Sequence, residues 1–164
     1  MKPNLLTLSV ALALTMLTTQ ALAAEPETVY ISSLDLSPIT QGWGQPQADK
    51  AVTGVPMSVG GKKFERGLGT HADSLVRLQL KGGSEEFTAF VGVDDAATSD
   101  RATITFRVIG DGKTLWKSPG MKRGQPARTV DVSIKGIKTL LLLADSGGDI
   151  SFGHADWADA RLLK

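Results

Sequence analysis

The chain has 164 residues, 18 basic and 17 acidic side chains, a formal net charge of +1, and no cysteine. Near-neutral, interspersed charge leaves no basic stripe for nucleic acid and no basic amphipathic helix for a lipid surface. The missing cysteine excludes a disulfide frame, a thiol nucleophile and a lipid-anchored lipoprotein, so the core must hold the fold, helped at most by a metal.

Residues 1–23 read as a secretory signal peptide. Lys2 gives a positive start, Leu5 to Leu17 an apolar run, and Ala21-Leu22-Ala23 a small-residue cleavage site. The alternative, an uncleaved anchor, is disfavoured because a membrane span needs roughly 20 apolar residues. No span is expected after cleavage, and the protein is expected in the periplasm or outside the cell. Residues 24–28 form a flexible leader, and 29–164 a single domain of about 140 residues.

Val29-Tyr30-Ile31 begins the domain as a short strand, ended by Pro38, which cannot continue a ladder. Gln41 to Pro46 is a loop carrying Trp43 between two glycines. Ala51 to Val59 is weakly apolar and kept short by Gly54 and Pro56, and Gly60-Gly61 marks a turn. A tight path through Gly67-Leu68-Gly69-Thr70-His71-Ala72-Asp73-Ser74 leads to the next strand. Period-two patterning then predicts strands at Leu75–Leu80, Phe87–Val93 and Thr103–Ile109. Lys81-Gly82-Gly83-Ser84 separates the first two, and an acidic loop, Asp94 to Asp100, the second pair.

Asp111-Gly112 predicts a hairpin returning through Thr114-Leu115-Trp116, because Asp-Gly tolerates the positive φ of a two-residue turn. Ser118 to Arg128 is a long loop. Val130, Val132 and Ile134 alternate again. Leu140 to Leu143 is continuously apolar, as expected of a strand central in its sheet or buried on both faces. Asp145 to Asp149 is a turn, and Trp157 to Leu162 a final strand. No segment has helical periodicity. Regularly spaced strands with Gly-rich turns indicate an all-β sandwich or barrel.

The chemistry is sparse. There is no Gly-x-Ser-x-Gly elbow, Walker loop or His-Glu-x-x-His helix. The two histidines stand in echoing phrases, Thr70-His71-Ala72-Asp73 and Gly153-His154-Ala155-Asp156, which suggests two loops meeting in space. Each is open to a structural or a ligand-facing role. Alternation puts Ala158, Ala160 and Leu162 inward and Trp157, Asp159 and Arg161 outward. Trp157 beside His154 and Asp156 then forms a sugar-stacking platform or, alternatively, caps the core edge. Trp43 is the better exposed aromatic candidate, and Trp116 is read as packing. Asp49, Asp94, Asp95, Asp100, Asp145, Asp149, Asp156 and Asp159 lie in or beside loops. They suit a hard cation such as Ca2+, or serve simply as turn residues.

Five motifs appear in order: Gly42-Trp43-Gly44, Gly67-Leu68-Gly69-Thr70-His71-Ala72, Val91-Gly92-Val93-Asp94-Asp95, Asp111-Gly112-Lys113 and His154-Ala155-Asp156-Trp157-Ala158-Asp159-Ala160. Together they closely resemble the NPCBM domain, akin to carbohydrate-binding module family fifty-one, over Val29 to Leu162. The resemblance implies a jelly-roll β-sandwich of two antiparallel sheets, often with structural calcium. It also implies non-catalytic recognition of a glycan, galactose-containing in some members. Such modules accompany glycoside hydrolases, so a separate hydrolase is an expected partner. The alternative is an envelope protein-interaction or structural module without sugar binding. The expected carbohydrate site is Trp43, His71, His154, Asp156 and Trp157, with Asp49 and Asp159 as metal ligands and no catalytic residue.

Overall fold

The structure, a computed structural model, describes residues 27–81 and 83–164. The expected signal peptide, residues 24–26 of the leader, and Gly82 in the turn after Lys81 lie outside the described residues. The strands in chain order are β1 (Thr28–Tyr30), β2 (Gln47–Ala48), β3 (Met57–Val59), β4 (Lys62–Phe64), β5 (Gly67–His71) and β6 (Ser74–Gln79). They continue with β7 (Glu86–Val93), β8 (Thr105–Gly110), β9 (Lys113–Lys117), β10 (Arg128–Ser133), β11 (Thr139–Asp145) and β12 (His154–Leu163). A 3-10 turn at Ile31–Ser33 follows β1.

Two antiparallel sheets face one another. The first runs β10-β7-β12-β5-β2, with β1 also on β12, and the second runs β6-β11-β8-β9. Apart from the β8–β9 hairpin, neighbouring strands of the two sheets are distant in sequence, so the sheets form mainly by long-range pairing and a β-sandwich results. Between them lie Phe87, Val91, Leu68, Trp157 and Leu162 from the first sheet and Val76, Phe106, Val108, Leu140 and Leu142 from the second. The continuous run Leu140–Leu143 is central, between β6 and β8, as its apolarity implied. Its burial nevertheless alternates, because only Leu140 and Leu142 face the other sheet. The Asp111-Gly112 hairpin forms between β8 and β9 as expected, with Asp111 at φ 46° and Gly112 at 82°.

Two expectations are corrected. The stretch Gly67–His71, expected as a connecting path, is a wholly buried strand between β12 and β2. Its glycines are small because neighbours cross them: the Lys50 carbonyl lies where a side chain on Gly69 would go. The second correction concerns β12. Three residues advance from Ala158 to Arg161 while β7 advances only from Phe90 to Thr88, so β12 carries one extra residue. Asp159 sits there at φ 50°. The bulge resets the alternation, so Ala155 and Trp157 before it and Ala160 and Leu162 after it all point into the core. Uninterrupted alternation had placed Trp157 outside.

The short hairpin β3–β4 lies on the outer face of the first sheet. Val59 covers Gly92, where any side chain would collide with it. Asp94 and Asp95 fasten this hairpin. Asp94 accepts from the Ser58 amide at 2.9 Å, and Asp95 accepts from the Ser58 hydroxyl at 2.6 Å and the Gly60 and Gly61 amides at 3.1 and 2.8 Å. The acidic loop after β7 thus completes a turn that glycine alone could bend but not anchor.

Candidate functional site

Antiparallel pairing of β5 with β12 sets His71 directly opposite His154. Their ring centroids are 5.6 Å apart. Trp43 covers them from its loop, 5.5 Å from His71 and, nearly parallel at 12°, 6.4 Å from His154. These three rings and Ile150, Ser151 and Phe152 line an open cleft of about 330 Å³. That is at the low end of the ~300–1,000 Å³ typical of small-molecule sites.

Local sequence explains why an indole stands out here. Trp43 is 55% exposed, a rare state for so large an apolar group. Gly42 lets the loop press onto the strand end, since a Cβ there would lie 2.6 Å from the Ala72 carbonyl oxygen. Gly44 turns the chain at φ 69°, a conformation that favours glycine. The Gln41 side-chain amide donates to the Trp43 carbonyl at 2.7 Å. The Gly-Trp-Gly triplet therefore holds an aromatic ring away from the core rather than in it.

The two histidines differ. His71 is buried, and its Nδ1 bonds the Ala72 carbonyl at 2.7 Å, so in the neutral ring Nδ1–H is the donor and Nε2 remains an acceptor. His154 is half-buried and its Nδ1 has no partner among the described residues. Burial first, and His71 second, hold its imidazole below the ordinary value, against an opposing pull from Asp94. A neutral His154 is the consequence at pH 7.

The opposite wall of the cleft escaped the sequence reading. Ile150, Ser151 and Phe152 lie between the expected turn, Asp145 to Asp149, and the last strand, in a stretch for which no role was expected. Its frame is local: the Ser151 amide donates to Asp149 at 2.9 Å, the Gly153 amide to the Ile150 carbonyl at 2.9 Å, and Phe152 adopts φ 62°. The Ser146 amide donates to Asp73 at 2.6 Å, tying this loop to the segment after His71. Two bulky apolar residues in a Gly- and Asp-rich loop, with no strand to join, were the available signal.

Asp156 and Trp157 are not in the cleft. Trp157 is fully buried, edge-on to Phe106 at 5.3 Å and tilted against Phe87 at 6.3 Å. Asp156 is also fully buried, on the outer face of the first sheet, between Gly92 and Gly69 in register. Both its oxygens lack a donor among the described residues. Burial first, then Asp94 beside it, push its carboxyl well above the usual carboxylate range. Two carboxylates so placed can meet only through a shared proton or a cation.

Asp49 and Asp159 are engaged with protein donors. The Gly67 amide donates to Asp49 at 3.0 Å, and Arg161 pairs with Asp159. No group of three or more histidine, cysteine or acidic residues suited to a metal occurs among the described residues.

Comparison with known proteins places these features in context. The NPCBM/NEW2 domain family matches residues 27–163. An alpha-1,3-galactosidase B of Akkermansia muciniphila is 33% identical over 135 residues, covering 80% of this chain. The chain spans only 9% and 17% of the length of the curated relatives it matches. Among solved structures, the CBM51 of Clostridium perfringens GH95, in complex with methyl-galactose, is similar at a TM-score of 0.76 and 33% identity, over 83% of this chain and 99% of that one. The CBM51-2 and INT domains of Clostridium perfringens ZmpB, in complex with GlcNAc, are similar at 0.78 and 26%, over 84% of this chain and 32% of that one.

Proposed function

The chain belongs to the NPCBM/NEW2 domain family, and on that premise we propose that it is a non-catalytic carbohydrate-binding module whose ligand seats in the Trp43 cleft. One observation carries the reading: a solvent-facing indole stands over two imidazoles in a sugar-sized recess. The C–H face of a pyranose stacks on Trp43, while ring nitrogens of His71 and His154 bond its hydroxyls. The lining residues include no carboxylate to serve as general acid, which supports binding without bond cleavage.

The sugars bound by the similar modules, methyl-galactose and GlcNAc, support a neutral glycan, and the galactosidase relative favours a galactose-containing one. Trp43 and Val55 are the exposed large hydrophobic side chains among the described residues, so no flat apolar patch favours the protein-docking alternative. Export through the residue 1–23 leader and action beside a separate glycoside hydrolase complete the proposal.

Calcium belongs to the proposal at a different place from the one expected. Asp156 and Asp94 set two buried carboxyls side by side, with the Lys50 carbonyl over Gly69 opposite Asp156, and a hard cation there would take up the Asp156 oxygens that lack a partner among the described residues. Such an ion would brace the loops beneath the cleft.

A glycan-array screen of residues 24–164, with calcium and then with chelator, tests the reading. Retention on galactose-terminated or other neutral glycans is expected. Folded protein that binds no neutral glycan overturns it.

A further inference from the structure

A second cleft, of about 400 Å³, opens on the outer face of the first sheet. It is lined by Tyr30, Lys62, Phe64, Arg66, Phe90 and Asp159, among others, and shares no residue with the Trp43 cleft. Five residue steps of β12, from His154 to Asp159, separate the two, roughly 16 Å at the usual strand rise.

Its floor is aromatic. Phe64 of the hairpin and Phe90 of β7 are 5.5 Å apart. Lys62 Nζ lies 4.9 Å from the Phe64 centroid and 4.2 Å from that of Phe90, and the Arg66 guanidinium lies 4.7 Å over Tyr30. Cation–π contacts hold these charges in place without neutralising them. Three cations, Lys62, Lys63 and Arg66, line the cleft against two carboxylates, Glu65 and Asp159; none of the three cations forms an ion pair among the described residues, whereas Asp159 is already paired to Arg161. The hairpin that presents the two lysines is fixed by the Asp95 bonds to Gly60 and Gly61, so the charges are positioned in advance.

We propose that this cleft is a second ligand site, taking an acidic saccharide unit whose carboxylate or sulfate meets Lys62 and Arg66 while its ring rests on the Phe64–Phe90 floor. The protein as a whole carries a net charge of only +1, so the attraction is local to the cleft rather than a general affinity for polyanions. The site stands apart from the neutral-sugar reading of the Trp43 cleft and survives its failure.

The test uses residues 24–164 with two immobilised probes, heparin for sulfate and polygalacturonate for carboxylate, beside desulfated and methyl-esterified controls. Wild-type protein is expected to bind at least one acidic probe and neither control through this site. The Lys62→Ser, Arg66→Ser double variant should lose about tenfold or more in affinity, while Trp43→Ala keeps it. If the double variant fails to fold, Lys62→Glu, at an exposed position, carries the same expectation. Folded wild-type protein that binds neither acidic probe overturns the proposal. So does undiminished binding by the folded charge variant, or competition by duplex DNA as effective as by the glycan.

Discussion

His71 and His154 face each other across the β5–β12 pair, with ring centroids 5.6 Å apart. The echoed His-Ala-Asp phrases run antiparallel, so only the histidines coincide. The residues after them diverge: Asp73 accepts from the Ser146 amide, while Asp156 lies buried beside Asp94. One repeated phrase therefore serves three places, the cleft floor, the loop behind it and the layer beneath.

Trp43→Ala is expected to weaken neutral-glycan binding at least about tenfold, because the stacking surface is lost. Stability should change by no more than about 0.5 kcal/mol, since the ring is mostly exposed. Titration calorimetry and thermal melting separate the two effects, and a large drop in melting temperature would contradict this role.

The histidines should part company. His154→Ala is expected to lower affinity several-fold at nearly unchanged stability, its Nδ1 having no partner to lose. His71→Ala should also cost about 0.5–1.5 kcal/mol of stability through the lost bond to the Ala72 carbonyl. Equal melting curves for the two variants would refute the distinction.

Trp157→Ala should destabilise the fold by about 3–5 kcal/mol, since it empties the largest buried side chain between Phe106 and Phe87. Trp157→Phe should recover much of the loss. Chemical denaturation measures both, and a stable Trp157→Ala variant with impaired binding would restore the platform role.

Gly42→Ala reaches the cleft indirectly. The added methyl would lie 2.6 Å from the Ala72 oxygen, so the loop must lift and carry Trp43 with it. A stability cost of about 1–3 kcal/mol is expected, together with weaker glycan binding than an equally destabilised core variant shows.

Calcium should raise the melting temperature of the wild type, by about 2.7 kcal/mol of stability at a hundredfold excess over Kd. Asp156→Asn is expected to abolish that response. Asp159→Asn, which loses the Arg161 pair, should keep it. A response lost in Asp159→Asn and kept in Asp156→Asn would return the metal to its originally expected ligands.

The all-β architecture, the Asp111-Gly112 hairpin, the central Leu140–Leu143 strand and the Gly-Trp-Gly presentation of Trp43 were legible in the sequence. Each is set by period-two alternation or by the φ needs of a few residues, both local properties of the chain. Tertiary structure decided the rest. The extra residue near Asp159 reversed the facing of Trp157, and no residue pattern announces a one-residue bulge. The burial of Asp156 depends on a hairpin and a loop folding over two glycines far away in sequence. The far wall of the cleft, Ile150 to Phe152, and the cationic aromatic cleft at Lys62 and Phe90 exist only once distant strands pair. Strand order follows from long-range hydrogen bonding, and a single chain's periodicity carries no record of its partners.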